Sequence, residues 1–172
     1  MNAHTSTDSS VDRSAAPALG ASAAGAPSGL ARYLSLAGLL PFVGGALAVW
    51  LLAPGWRALA ASALLVYAAL IASFLGGIHW GLVMRDSRAH RRILLWGVSA
   101  SLLAWMAVLV DLPWGLLLTA LALCICYGVD RKLYVREGVA GWLGLRGLLT
   151  LVATLSCLVA TAGLVLGAGV AR

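Results

Sequence analysis

The chain has 172 residues, of which 62% are hydrophobic and 10% are charged, and its net charge is +6. This composition is far more apolar than that of a soluble domain, and it excludes an ordinary globular protein. Basic residues fall in short segments between long apolar runs, where they set orientation in a membrane. We therefore predict an all-α, polytopic membrane protein whose partner is the lipid bilayer and not a nucleic acid.

The apolar runs predict five transmembrane helices after an N-terminal tail. Residues 1–29 are rich in Ser, Ala, Pro and Gly and contain no long apolar segment. Such a composition predicts a disordered tail rather than a secretory signal. Residues 30–172 are expected to form one five-helix transmembrane domain. Its predicted spans are residues 31–53, 58–84, 93–110, 112–129 and 147–170.

Prolines and polar residues predict where the spans bend and end. Pro41 lacks an amide donor inside the first span, so we expect a kink and a neighbouring helix that satisfies the freed carbonyl. Residues 54–57 predict a tight turn. Asp130 is expected to close the fourth span. Residues 130–146, which begin with polar residues and continue with apolar ones such as Trp142, are expected to lie along the membrane surface.

Lys and Arg residues are distributed unequally between the two predicted sides of the membrane. Two of them, Arg57 and Arg172, lie on the side of the C-terminus, and nine flank the spans on the other side. This imbalance predicts a cytoplasmic N-terminus and a C-terminus outside. A bacterial inner (cytoplasmic) membrane is the simpler location, and a mitochondrial membrane is the alternative. The nine are Arg32, Arg85, Arg88, Arg91, Arg92, Arg131, Lys132, Arg136 and Arg146.

Small residues recur at every fourth position of the second span and form one shallow groove on a helix. The groove ends in a GxxxG motif, which favours close approach of another helix in lipid. We expect it to pack against a neighbour in the same bundle, with a homodimer contact as the alternative. The predicted helix-packing residues are Ser73, Gly76, Gly77 and Gly81.

Polar residues near the cytoplasmic ends of the spans predict a buried cluster. His79 lies six residues before Arg85, which places it about 9 Å inside the charged loop. At that depth a polar side chain usually faces protein. Asp130 lies at a similar depth, and Arg146 begins a polar face of the fifth span that continues through Thr150, Thr154, Cys157 and Thr161. The candidate cluster is His79, Trp80, Asp130, Arg146 and Thr150.

Within this cluster we predict that Asp130 pairs with Arg146 and that His79 joins by a hydrogen bond. The alternative is that Asp130 and Arg146 are solvated helix ends. His79 itself has three interpretations: a neutral imidazole bonded to a carbonyl or another helix, a proton-transfer or ligand-binding group, or a ligand of haem or a metal. The last is disfavoured because no Cys or Glu cluster accompanies it.

Several short elements together resemble one known family. They are Leu75-Gly76-Gly77-Ile78-His79-Trp80-Gly81, Pro41-Phe42, Leu102-Leu103-Ala104-Trp105, Asp130, and Leu145-Arg146 with Leu149-Thr150. This set resembles the uncharacterised bacterial membrane proteins that are similar to mitochondrial transmembrane protein 69, and it covers about residues 31–160. The family has a domain of unknown function. The resemblance therefore implies a membrane location and a set of residues, but no reaction.

Three classes of function follow from these patterns. The first is a non-enzymatic structural or assembly component, which binds a second copy or another membrane protein through the glycine groove. The second is a protein that binds or transports a small solute, proton, quinone or lipid at the cluster around His79. The third, an enzyme, is disfavoured because the spans contain no nucleophile with its base, paired carboxylates or phosphate loop. We expect no catalytic residues, no cofactor and no metal site.

Overall fold

The computed structural model describes residues 26–85, 91–136, 138 and 140–170, and every regular element in these ranges is a helix. The expected disordered tail, up to residue 25, and the basic loop at residues 86–90 lie outside the described residues. The helices are α1 (Gly29–Ala37), α2 (Leu40–Leu51), α3 (Pro54–Arg85), α4 (Arg91–Val108), α5 (Leu112–Arg136) and α6 (Leu143–Val170), with a 3-10 turn at Ala140–Trp142.

Length and composition identify the membrane-spanning parts of this bundle. Within the described residues, four segments are long and apolar enough to cross a membrane, and a shorter apolar helix covers Arg92–Val108. Large apolar side chains such as Leu70, Trp105 and Leu121 lie on the outside, as lipid requires. The prediction of an all-α, five-helix polytopic membrane protein is confirmed. The four long segments are Gly29–Leu51, Pro54–Gly81, Leu112–Arg136 and Ala140–Gly167.

The first span is broken into α1 and α2 at Gly38 and Leu39, just before Pro41. The Tyr67 hydroxyl of α3 donates a hydrogen bond to the Gly38 carbonyl at 2.8 Å. The Tyr67 ring also packs edge-on against Phe42, with 5.1 Å between the ring centroids. The predicted kink is therefore confirmed. A neighbouring helix satisfies a carbonyl of the broken backbone, but this carbonyl is that of Gly38 and not that of Ala37, which Pro41 deprives of its usual donor.

Helix α3 lies at the centre of the bundle, where it packs against α2, α4 and α5, while α6 packs against α2 and α5. Its buried face carries alanines, among them Ala61, Ala68 and Ala72, which have no exposed surface. Small side chains let helix backbones approach closely, and this close packing is a main source of attraction between helices in lipid.

Gly76 makes a backbone contact between α3 and α4. A Cβ atom built on Gly76 would lie 2.5 Å from the Gly97 carbonyl oxygen, so a side chain there would push the helices apart. Gly77 and Gly81 face outward, and a Cβ atom on either would meet no described atom within 4 Å. The expectation that Gly77 and Gly81 pack inside the bundle is therefore wrong. Neighbouring residues of a helix point about 100° apart. Because α4 crosses α3 on the face of Gly76, Gly77 points away from this contact.

Three helical segments differ from the predicted ones. Residues 54–57 form the first turn of α3 rather than a separate turn, because a proline at the first helical position loses no hydrogen bond. Helix α5 continues past Asp130 to Arg136, since the charge of Asp130 is compensated inside the bundle by Arg146. The described part of residues 130–146 contains no separate surface helix. Its beginning belongs to α5, and its end belongs to the 3-10 turn and α6.

Candidate functional site

Three polar side chains meet inside the bundle, and we call His79, Asp130 and Arg146 the buried triad. Helices α3, α5 and α6 each contribute one of them. The Arg146 guanidinium donates to Asp130 Oδ2 through Nε, at 3.1 Å, and through Nη2. His79 Nε2 lies 3.4 Å from the other carboxylate oxygen, Oδ1. The structure thus shows the Asp130–Arg146 pair that the sequence predicts, with His79 beside it.

The three side chains of the triad are almost completely buried. Exposure is 1% for His79, 1% for Asp130 and 8% for Arg146. A single buried charge would be very costly, but a carboxylate and a guanidinium in contact compensate each other. The alternative that Asp130 and Arg146 are solvated helix ends is therefore wrong.

The imidazole of His79 has two neighbours that both accept hydrogen bonds. Nδ1 lies 3.1 Å from the Leu75 carbonyl oxygen, one helical turn earlier, and Nε2 faces Asp130 Oδ1. A neutral ring carries one proton and satisfies one of these acceptors, whereas an imidazolium satisfies both. Among the described residues, His79 Nε2 and Asp130 Oδ1 are buried without a hydrogen-bond partner. The triad therefore has unused hydrogen-bonding capacity on its His79 side.

Two predicted members of the cluster lie outside the triad. Trp80 is 39% exposed, and its ring lies over Gly97 of α4, where a Cβ atom would approach it to 2.6 Å. It does not join the cluster, because its ring packs against α4. Thr150 is buried one turn beyond Arg146 on α6. It lines a cavity together with Arg146, but it is not hydrogen-bonded to the triad.

One cavity, which we call the Arg146 cavity, has a volume of about 490 Å³. Residues of α1, α2, α3, α5, the 3-10 turn and α6 line it, and most of them are apolar. The side chains that bring polar groups to it are those of Ser35, Tyr134, Trp142, Arg146 and Thr150. The cavity therefore combines a hydrophobic wall with a few hydrogen-bonding groups, as small-molecule sites do.

A second cavity, which we call the His79 cavity, lies between α4 and α5 and has a volume of about 500 Å³. His79 and Trp96 line it together with three cationic side chains, Arg92, Lys132 and Arg136. Of the triad, Arg146 lines the first cavity and His79 lines the second, so Asp130 connects the walls of the two.

Several lining residues were not indicated by the sequence patterns. Tyr134 is buried one helical turn after Asp130, so a helical wheel continued beyond residue 129 would have found it. The sequence predicts Lys132 and Arg136 as orientation charges and gives no signal that they line a cavity. No local sequence pattern indicates that Trp96 lines a cavity, because its position there depends on how α4 packs against α3 and α5.

Cysteines and other metal-ligating side chains are dispersed in the described part of the chain. No group of three or more His, Cys, Asp or Glu residues lies there in a position to hold a metal ion. All three cysteines are free, and Cys126 and Cys157 are buried as apolar packing residues.

The predicted polar face of α6 does point into the bundle. Thr161 is buried, and the Thr154 hydroxyl oxygen lies 3.5 Å from the Cys124 sulfur of α5.

A bundle of membrane-spanning helices with a buried polar triad, of which Arg146 lines one cavity and His79 another, defines a polytopic membrane protein with an internal polar site. The chain belongs to the family described as "Protein of unknown function (DUF3429)", whose model matches residues 27–162. The match includes the whole triad and confirms the predicted domain of unknown function. Comparison with curated proteins gave no match, and comparison with solved structures gave none either.

Proposed function

We propose that this protein binds a lipophilic small molecule with a polar end, of the quinone or lipid class, in the Arg146 cavity. The observation that carries the proposal is a mainly apolar cavity of about 490 Å³ that reaches a buried guanidinium inside a membrane protein. Ligand sites of comparable volume have this combination of a hydrophobic wall and few polar groups.

The position of the cavity mouth supports a ligand that enters from the bilayer. Phe74 of α3 and Leu34 of α1 both line the cavity, and they are 67% and 60% exposed on the outer surface of the bundle. Helix α1 contains no buried residue, so it forms a thin wall on this side. A molecule dissolved in the lipid would reach the cavity between α1 and α3 without crossing water.

The polar groups of the cavity suit an acceptor-bearing end of the ligand. A guanidinium has five N–H donors, and the two contacts with Asp130 use Nε and Nη2. The Thr150 and Ser35 hydroxyls line the same cavity. Carbonyl or phosphate oxygens of a ligand would therefore find donors there, while the pairing with Asp130 keeps the guanidinium in place.

We expect Ser35→Trp to fill the Arg146 cavity and to lower the amount of co-purified ligand at least tenfold. The matched control is Leu36→Trp, since Leu36 is the next residue of α1, is 42% exposed and does not line the cavity. Both variants and the parent chain are purified in mild detergent, and their bound small molecules are extracted and measured by mass spectrometry. Equal ligand in all three proteins, or none in the parent chain, would contradict the proposal.

The same geometry supports a binding role rather than catalysis, and we propose that the protein is not an enzyme. The Asp130 carboxylate is held by two guanidinium contacts, which favour a fixed structural anion over a free catalytic base. We also propose a bacterial inner membrane with a cytoplasmic N-terminus, supported by the nine-to-two distribution of basic residues. We propose as well that this chain is related to mitochondrial transmembrane protein 69.

A second candidate function, assembly with another copy, is favoured by the outward-facing glycines. Gly77 and Gly81 leave open space on the surface of α3, and Ser73 is only half-buried. We expect Gly77→Leu combined with Gly81→Leu to abolish cross-linked dimers in native membranes. Gly44→Leu is the control, because Gly44 is an exposed glycine with open space on α2. Dimers that persist in the double variant would exclude this surface as the contact.

A further inference from the structure

We infer that the His79 cavity is a binding site for a phosphate-bearing anion, separate from the ligand of the Arg146 cavity. The two cavities share no lining residue. The inference therefore does not rest on the proposed function, and either can fail without the other.

The charge of the site favours an anion. Arg92 of α4 and both Lys132 and Arg136 of α5 line the cavity, and all three side chains are exposed at its rim. No acidic residue is among the described side chains that line it. Asp130 lies behind His79 and is already compensated by Arg146. Three cations converging on one opening are attractive to a phosphate group, with which guanidinium and ammonium groups form strong hydrogen bonds.

An unsatisfied group lies deeper in the same cavity. The indole nitrogen of Trp96 is buried and has no hydrogen-bond partner among the described residues, whereas His79 Nε2 faces Asp130 Oδ1 at 3.4 Å. Buried polar groups are nearly always bonded, so the unbonded indole nitrogen indicates a ligand or water that supplies its partner. An indole N–H is a donor only, and it would suit a phosphate or ester oxygen.

The apolar residues of the cavity favour a phospholipid as the source of this phosphate. Ile93, Ile125, Val129 and Leu133 line the walls between the cationic rim and the interior. A glycerophospholipid would place its phosphate at the rim, its ester oxygens near Trp96, and its acyl chains along α4 and α5. A free phosphate compound would use the cations and leave the apolar walls without contact.

The test measures the affinity of the purified full chain for short-chain phosphatidylglycerol and, in a second arm, for inorganic phosphate. We expect Arg136→Gln and Lys132→Gln each to weaken phosphatidylglycerol binding about fivefold, the effect of one cation near a membrane surface. Arg131→Gln is the matched control, since Arg131 is exposed on the same helix and does not line the cavity. It should change the affinity less than twofold.

Nuclear magnetic resonance of the indole groups supplies a second readout. The indole resonance of Trp96, assigned by its loss in Trp96→Phe, should shift when phosphatidylglycerol is added. Weak or absent binding of inorganic phosphate would support a lipid, whereas equal and Arg136-dependent binding of inorganic phosphate would support the same site with a soluble ligand. Absence of binding in both arms, an equal loss in Arg131→Gln, or an unshifted Trp96 resonance would overturn the inference.

Discussion

Replacing Asp130 by Asn should lower the free energy of unfolding by about 3–5 kcal/mol, the cost of leaving one partner of a buried ion pair uncompensated. In the variant, the Arg146 guanidinium would remain 8% exposed and face a neutral amide, while His79 would lose the carboxylate beside Nε2. Unfolding by sodium dodecyl sulfate in mixed micelles, followed by circular dichroism, measures this change.

Two further variants separate the ion pair from a general effect of removing a carboxylate. Asp111→Asn is the matched control, because Asp111 is exposed between α4 and α5 and should change stability by less than about 0.5 kcal/mol. The double variant Asp130→Asn with Arg146→Gln removes both charges and should recover at least half of the loss. If Asp130→Asn costs no more than Asp111→Asn, the triad does not stabilise the bundle.

Adding one methyl group to Gly76 should destabilise the protein by about 1–3 kcal/mol, although alanine is the better helix former. The new Cβ atom would lie 2.5 Å from the Gly97 oxygen and 3.1 Å from the Ala100 Cβ, so α3 and α4 must separate. Backbone atoms cannot rotate away as a flexible side chain does. The same unfolding measurement in mixed micelles gives the change.

The adjacent glycine provides a control that differs by a single position. Gly77→Ala adds the same methyl group to open space and should leave stability unchanged or raise it by up to about 1 kcal/mol. The contact between Gly76 and Gly97 is next to Trp96 and three residues from His79, and both of these residues line the His79 cavity. Separation of α3 and α4 should therefore also weaken anion binding there in the Gly76→Ala variant. Equal stability of the Gly76→Ala and Gly77→Ala variants would show that the backbone contact between α3 and α4 is not required.

Much of this architecture follows from the sequence alone. Long apolar runs predict membrane helices because unpaired backbone groups cannot face lipid, and Pro41 predicts the break in the first span because proline removes a donor. The rise of 1.5 Å per residue places His79 and Arg146 near one depth of the membrane. Opposite charges at one depth in an apolar bundle are expected to pair, and Asp130 and Arg146 do so.

Only the tertiary structure decides which surfaces meet. Gly76 and Gly77 are both plausible packing residues, and only the crossing of α4 shows that Gly76 makes the contact. The tertiary structure also decides that α5 continues beyond Asp130. A charged residue normally ends an apolar span, but here Arg146, 16 residues away on another helix, compensates the buried charge of Asp130. Both cavities likewise exist only between helices, so local sequence patterns contain no signal for them.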